Sequence, residues 1–215
     1  MQMLWQEAES AASVVRLTNA AEVRELVAVF AAIAAEQGWE PGGALEQYTQ
    51  RSVYFALRGG AWGTHLLGGL QLLLPEESGT LPCHILWPTA PLYPSRNGKP
   101  RCAHLAMLGL LGEARGHRLH FWHLGIEMWR FCIAVGITTL FIEVTPRVLP
   151  LYQYLGWPLT ICGDTLLHWG EECYLCTMEL PDVAQTLLRR AQNSRHYHRI
   201  IAQAFRLESE FKLAA

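Results

Sequence analysis

The sequence predicts an α/β fold with a mixed central β-sheet, and three observations carry that prediction. Pairs of β-rich runs joined by turn residues fill the first half, as antiparallel hairpins do. The second half alternates strand, long helix and strand, the pattern of a parallel pair around a crossover helix. Beyond about residue 182 the pattern is helical only. With 215 residues the chain suits one domain, able to bury roughly 70% of its unfolded surface without disulfides or a structural metal. We read residues 1–215 as one domain, with the sheet core at about 13–180 and a helical tail at about 182–212.

Ser13 to Thr18 is a short β-rich run, and Asn19 is a good cap for the helix after it. From Ala20 to Gln37, Val23, Leu26, Val27, Phe30 and Ile33 recur at spacings of three and four, and Gly38 stops the helix. A short helix follows around Leu45 to Arg51. Val53 to Leu57 and Leu66 to Leu74 then flank the turn-prone stretch Arg58 to Gly63 as a hairpin. Pro75 to Pro100 holds prolines at 75, 82, 88, 91, 94 and 100 and reads as a long irregular loop, which in a compact domain is more often functional than idle. Cys102 to Leu111 is an apolar strand and Arg115 to His117 a turn. Arg118 to Val135 carries a stripe of Leu119, Trp122, Ile126, Trp129 and Ile133, so it is a core-facing helix. Thr138 to Val144 is a buried strand, Val148 to Leu155 a short helix ended by Gly156, and Leu159 to Leu167 and Cys173 to Leu180 are the last strands. The tail offers Leu187, Ala191, Ile200, Ala204 and Phe205 as apolar contacts.

Composition excludes several classes. At 51% hydrophobic, 17% charged and a net charge of −2, the chain is too apolar for a disordered tail and too neutral to coat nucleic acid unselectively. Its longest apolar stretch, Leu26 to Ala35, is half of the roughly 20 residues a membrane helix needs. Glu7 and Glu9, with no basic residue ahead of an apolar run, argue against a secretory signal. The six cysteines show no framework spacing and read as free thiols, so a cytoplasmic location is expected. All but Lys99 and Lys212 of the seventeen basic residues are Arg, a bias that fits anion recognition and equally a GC-rich genome.

The segment Thr139 to Trp157, TLFIEVTPRVLPLYQYLGW, carries a family resemblance. Tyr152, Gln153, Tyr154, Leu155, Gly156 and Trp157 match the short helix that follows the crossover strand in the GNAT acyltransferase superfamily. Val144, Thr145, Pro146, Arg147 and Pro150 ahead of Tyr152 resemble one branch of it, the N-acyl amino acid synthases and the related acyl-homoserine-lactone (autoinducer) synthases. The likeness spans about residues 13 to 180, with residue-level support in the second half only. It implies a splayed parallel strand pair, Ala103 to Leu108 beside Thr139 to Val144, holding an acyl thioester that an amine attacks directly. Backbone groups at Leu105, Met107 and Leu108 would bind the donor and polarise its carbonyl, worth about 3 to 4 kcal/mol in an oxyanion site. Tyr152 matches the position that protonates the departing thiolate; alternatively it is a core aromatic.

Departures from the family pattern are as informative. The coenzyme A pyrophosphate loop is absent, and Gly112 to Arg118 stands there instead. Arg115, Gly116, His117 and Arg118 at a helix N-terminus still suit phosphate, so the resemblance favours acyl carrier protein over free coenzyme A as donor, with no tightly bound cofactor and no metal. Residues 96–147 carry a balance of +4 against −5 for residues 1–95, a basic segment that would steer an acidic carrier protein or simply face water. Autoinducer synthases place a Glu where Arg101 stands here, and Arg accepts no proton. His104 is then the nearest substitute base and Glu143 the second, with a core or surface histidine as the plain alternative. Arg101 or Arg147 could instead grip the carboxylate of an amino acid acceptor.

His117, His120 and His123 drift around their helix, and the lone Cys173/Cys176 pair points to opposite strand faces, so neither reads as a metal site. The basic tail from Arg189 to Arg199 reads as a packed helix with its charges in water, though a carrier protein, membrane surface or nucleic acid could also meet it. The expected activity is fatty N-acylation of an amino acid or related small-molecule amine. The competing expectations are an acetyl-CoA-dependent acetyltransferase and a GNAT-like binding module without catalysis.

Overall fold

A computed structural model describes residues 12–41, 47–60 and 63–202, apart from the Arg118 side chain. β1 (Ser13–Leu17) leads into α1 (Ala20–Gln37), whose Asn19 cap accepts a hydrogen bond from the Ala21 N–H at 2.8 Å. Gly38, at φ 74°, closes that helix in the left-handed conformation that only glycine adopts without strain. Of the helix expected at Leu45 to Arg51, residues 45 and 46 lie outside the described residues, and a 3₁₀ turn occupies Thr49–Arg51. β2 (Ser52–Gly59) and β3 (His65–Leu73) form the expected antiparallel pair. The proline-rich stretch holds one short helix, α2 (Cys83–Leu86), and otherwise turns.

β4 (Cys102–Leu110), α3 (Arg118–Val135), β5 (Thr139–Val144) and α4 (Leu149–Leu155) follow within a residue or so of their expected limits. The strand expected from Leu159 to Leu167 is two: β6 (Thr160–Ile161) and β7 (Leu166–His168). Between them the Trp87 indole donates to the Asp164 carbonyl at 2.6 Å, and a Cβ on Gly163 would lie 2.4 Å from that ring. The chain therefore dips under Trp87 and cannot stay extended. β8 (Glu171–Glu179) begins two residues earlier than expected, and α5 starts at once (Leu180–Ala191) with Pro181 at its N-terminus, where a missing N–H costs nothing. Helix resumes at 195–202; Ala204 and Phe205 lie outside the described residues.

The sheet runs β1-β2-β3-β4-β5-β8-β6, with β7 also on β8, and every pair is antiparallel except β4 with β5. α3 packs on one face through Trp122, Leu124, Met128 and Cys132 against Leu70, Leu72, Ala103, Leu105, Leu140 and Ile142. On the other face α1 sets Leu26, Phe30 and Ile33 against Tyr54, Ala56 and Met107. It lies almost on the backbone there, since a Cβ on Gly69 would meet the Phe55 carbonyl oxygen at 2.3 Å and Leu26 at 2.9 Å.

One irregularity shapes everything downstream. Leu72 faces Leu105 and Gln71 faces Met107, so Ala106 is an extra residue in β4. Side chains alternate along a strand, and the extra residue breaks the count. Ala103 and Leu105 pack toward α3, whereas Met107 packs toward α1.

Candidate active site

β4 and β5 pair over four residues, Cys102 with Thr139 through Leu105 with Ile142, and no further. Beyond that point β4 bonds only to β3 and β5 only to β8. The Ala106 bulge turns β4 away at the place where pairing stops, leaving its backbone groups on the β5 side without a strand partner. A cleft of about 110 Å³ opens there, walled by Leu105, Met107 and Leu108 of β4 and by Ile142, Glu143 and Val144 of β5. That is room for reacting groups and a few waters, since a water occupies about 30 Å³; a long acyl chain would have to run on beyond it.

Tyr152 lines the same cleft from α4. Gly156, at φ 99°, ends α4, and the Tyr152 ring packs near-parallel to both Trp157 (centroids 5.3 Å, 23°) and Phe121 (5.9 Å, 26°), which touch each other at 4.7 Å. Burial pushes the phenol up to about 12, so it is protonated at any physiological pH and can donate a proton but not take one. One arginine of α5 holds this helix in place: Arg190 donates to the carbonyls of Gln153 (2.9 Å) and Tyr154 and to the Tyr197 hydroxyl (2.7 Å). The basic tail thus satisfies open carbonyls at the C-terminal end of α4.

Glu143 meets two histidines. Its Oε2 lies 2.5 Å from His168 Nδ1, and its Oε1 lies 3.3 Å from His104 Nε2. Burial disfavours the carboxylate, yet the hydrogen bond from His168 and the charges of both histidines outweigh it and bring the carboxyl down to about 2. Glu143 is therefore a fixed anion and a poor base. The His104 contact is off the hydrogen-bond line, and neither ring nitrogen of His104 has an aligned partner. This residue is only 4% exposed and does not line the cleft.

His168, at the end of β7, does line it, and sequence reasoning missed it. With Nδ1–H donating to Glu143, the Nε2 lone pair is left for a proton, the arrangement by which a carboxylate orients a histidine base. The signal lay in the next residues. His168 pairs with Glu171 across a two-residue turn, Trp169–Gly170, at φ 52° and 85°. Such turns favour Asn-Gly, and a tryptophan in a left-handed conformation is an outlier of the kind that gathers at functional sites.

The remaining expected residues lie elsewhere. Arg101 is exposed at the start of β4, where the strands are closed, and its carbonyl accepts from the Thr138 and Thr139 N–H groups. Arg147 is exposed between two cleft residues, Thr145 and Val148, and does not line the cleft itself. Arg115 is committed: Nε donates to the Leu110 carbonyl at 2.8 Å and both terminal nitrogens to Glu36. Gly116 (φ 92°) and His117 lead into α3, and Arg118 is its first residue. The basic segment is also not one face. Arg96, Lys99 and Arg101 gather before β4, and Arg115 follows it, roughly 30 Å away for a nine-residue strand.

A separate apolar hollow lies behind Trp157, between α3, α5 and the 195–202 helix, lined by Trp122, Met128, Leu187 and Ile200. Among the described residues, no group of His, Cys, Asp or Glu is arranged to hold a metal, and no helix is long and apolar enough to cross a membrane.

This sheet, opened between its one parallel pair, is the GNAT acyltransferase fold. FeeM, an N-acyl amino acid synthase from uncultured soil microbes, superposes with a TM-score of 0.62 at 15% identity, over 81% of this chain and 94% of its own. BjaI, a CoA-dependent acyl-homoserine lactone synthase solved with SAM and isopentyl-CoA, gives 0.62 at 16% identity, over 86% and 90%. A Desulfovibrio desulfuricans protein of the GNAT family gives 0.51 at 11% identity, over 79% and 99%. No family model and no curated protein sequence matches the chain.

Proposed function

We propose that the protein is an N-acyltransferase that moves a fatty acyl group from a thioester, carried by acyl carrier protein, to the amine of an amino acid or related metabolite. One observation carries the reading: the β4–β5 divergence after Leu105 and Ile142 gathers free backbone groups, Tyr152 and the Glu143–His168 pair around one cleft.

In this reading the thioester carbonyl lies against the unpaired backbone of β4 at Leu105, Met107 and Leu108. His168 Nε2 takes a proton from the acceptor ammonium, and the freed amine attacks the carbonyl. Negative charge then develops on the carbonyl oxygen, where a preorganised N–H is worth about 3 kcal/mol. The C–S bond breaks as the C–N bond forms, Tyr152 gives its proton to the departing thiolate, and the second proton that the nitrogen sheds as the amide forms returns to Tyr152 through water. Overall one amide, one thiol and one proton leave. His104, behind Glu143, acts as a positioning group rather than the base. A carrier protein as donor is supported by the missing coenzyme A loop and by Arg115, whose fork Glu36 already occupies. Backbone N–H groups at Gly116, His117 and Arg118 remain to meet the phosphate.

Mass spectrometry of lipid extracts from cells overproducing the protein tests this. New N-acyl amines, N-acyl amino acids or acyl-lactones are expected. An unchanged lipid profile beside acetyl-CoA turnover points to an acetyltransferase, and silence in both to a binding module without catalysis.

A further inference from the structure

The acceptor side of the cleft has a chemistry of its own. Its walls there are Trp39, Trp169, Glu143, Glu171, His168 and Cys173. The Trp39 and Trp169 rings sit 6.3 Å apart at 48°, and the Glu40 N–H donates to the Trp169 carbonyl at 3.2 Å, which ties the β7–β8 turn to the end of α1. Trp169 holds its left-handed conformation at a position that glycine or asparagine would fill without strain.

Charge in this half is of one sign. Glu143 and Glu171 line the cleft, and among the described residues no Lys or Arg does. The Cys173 thiol registers both carboxylates: burial pushes it up first, and Glu143 and Glu171 add to that, to about 11. His104, outside the cleft walls, is a buried polar side chain with no aligned hydrogen bond, its Nε2 3.3 Å from Glu143 Oε1. Such a group costs stability, and here it helps to keep Glu143 ionised where the acceptor must enter. Arg101 and Arg147, the candidate grips for a carboxylate, both stay outside the walls.

We propose that the acceptor is a cationic amine with an apolar or aromatic body and no carboxylate beside its nitrogen, the ammonium drawn in by Glu143 and Glu171 and the body laid against Trp39 and Trp169. An ammonium next to carboxylates and indole faces gains from both. An α-carboxylate in the same place would meet two anions and no cation. This narrows the acyltransferase reading and rests on it: the thioester C–S bond is exchanged for an amide C–N bond, and the ammonium proton leaves by way of His168.

Matched acceptors test it: tyramine against tyrosine and tryptamine against tryptophan, with octanoyl- and palmitoyl-carrier protein and the corresponding acyl-CoA as donors, followed by thiol release and amide mass. Binding of each amine to the donor-free protein is read separately by tryptophan fluorescence. The decarboxylated amines should exceed their parent amino acids at least tenfold in kcat/KM, and Glu171→Gln should shrink that ratio. Equal or better turnover of the amino acids overturns the inference and leaves the acyltransferase reading intact. Amine-selective binding without thiol release from any donor overturns the acyltransferase reading and upholds the acceptor site. Fluorescence blind to the amines, with no turnover, sinks the inference outright.

Discussion

His168 Nδ1 lies 2.5 Å from Glu143 Oε2, so a histidine at a sheet edge and a carboxylate held at a pKa of about 2 act as one unit in the cleft. Removing either half should be costly. His168→Ala and Glu143→Gln should each lower kcat about 10²-fold or more, the usual worth of a positioned base. A His168→Ala enzyme that turns over at the full rate would show that another group is the base.

Tyr152→Phe removes one hydroxyl that bonds to none of the described residues, while the stack with Phe121 and Trp157 is kept. The variant should melt within a degree or two of the wild type but turn over about 10²-fold more slowly. Steady-state kinetics beside a thermal melt checks both halves of the claim.

Glu143 also makes stability depend on pH. Its carboxyl falls from an ordinary 4.5 to about 2 on folding, so its contribution is fully present above pH 4.5 and is lost as the pH drops toward 2. The amount at neutral pH is about 3 kcal/mol. Denaturant melts at pH 7, 4.5 and 3 should show the wild type losing stability over the lower interval. Glu143→Gln should lose markedly less there.

Arg190→Ala removes one donor each from the Gln153 carbonyl, the Tyr154 carbonyl and the Tyr197 hydroxyl, leaving the Gly156 N–H on the first and the Tyr197 hydroxyl on the second. We expect a loss of about 1 to 3 kcal/mol in unfolding free energy, with a fall in kcat because α4 carries Tyr152. Arg190→Lys, which cannot span both carbonyls with a planar fork, should recover only part of each.

Much of this fold was legible because the signals are local. α1 and α3 declare themselves through apolar stripes and through Asn19, Gly38 and Gly136 at their ends, and Gly156 stops α4. The resemblance in Thr139 to Trp157 pointed to Tyr152 and to the β4–β5 pair. What stayed hidden depends on distant partners. The break between β6 and β7 is made by Trp87, 77 residues from Asp164. The Ala106 bulge is set by how β4 registers against β3, and nothing in CAHLAM marks an extra residue. Matching Arg101 to a family position overlooked that the strands open only after Leu105, so the start of β4 stays at the closed end. His168 fell just beyond the strand expected at Leu159 to Leu167 and went unmarked, because its partner Glu143 lies 25 residues away and on another strand.

The central claim is that one cleft joins an acyl thioester to an amine, and it is tested most directly with purified protein, acyl carrier protein bearing a palmitoyl group, and a small primary amine. The account predicts free thiol and N-palmitoyl amide in equal amounts, with both falling together about 10²-fold in Tyr152→Phe and in His168→Ala. Thiol release without amide, or amide formation unchanged in both variants, would contradict it.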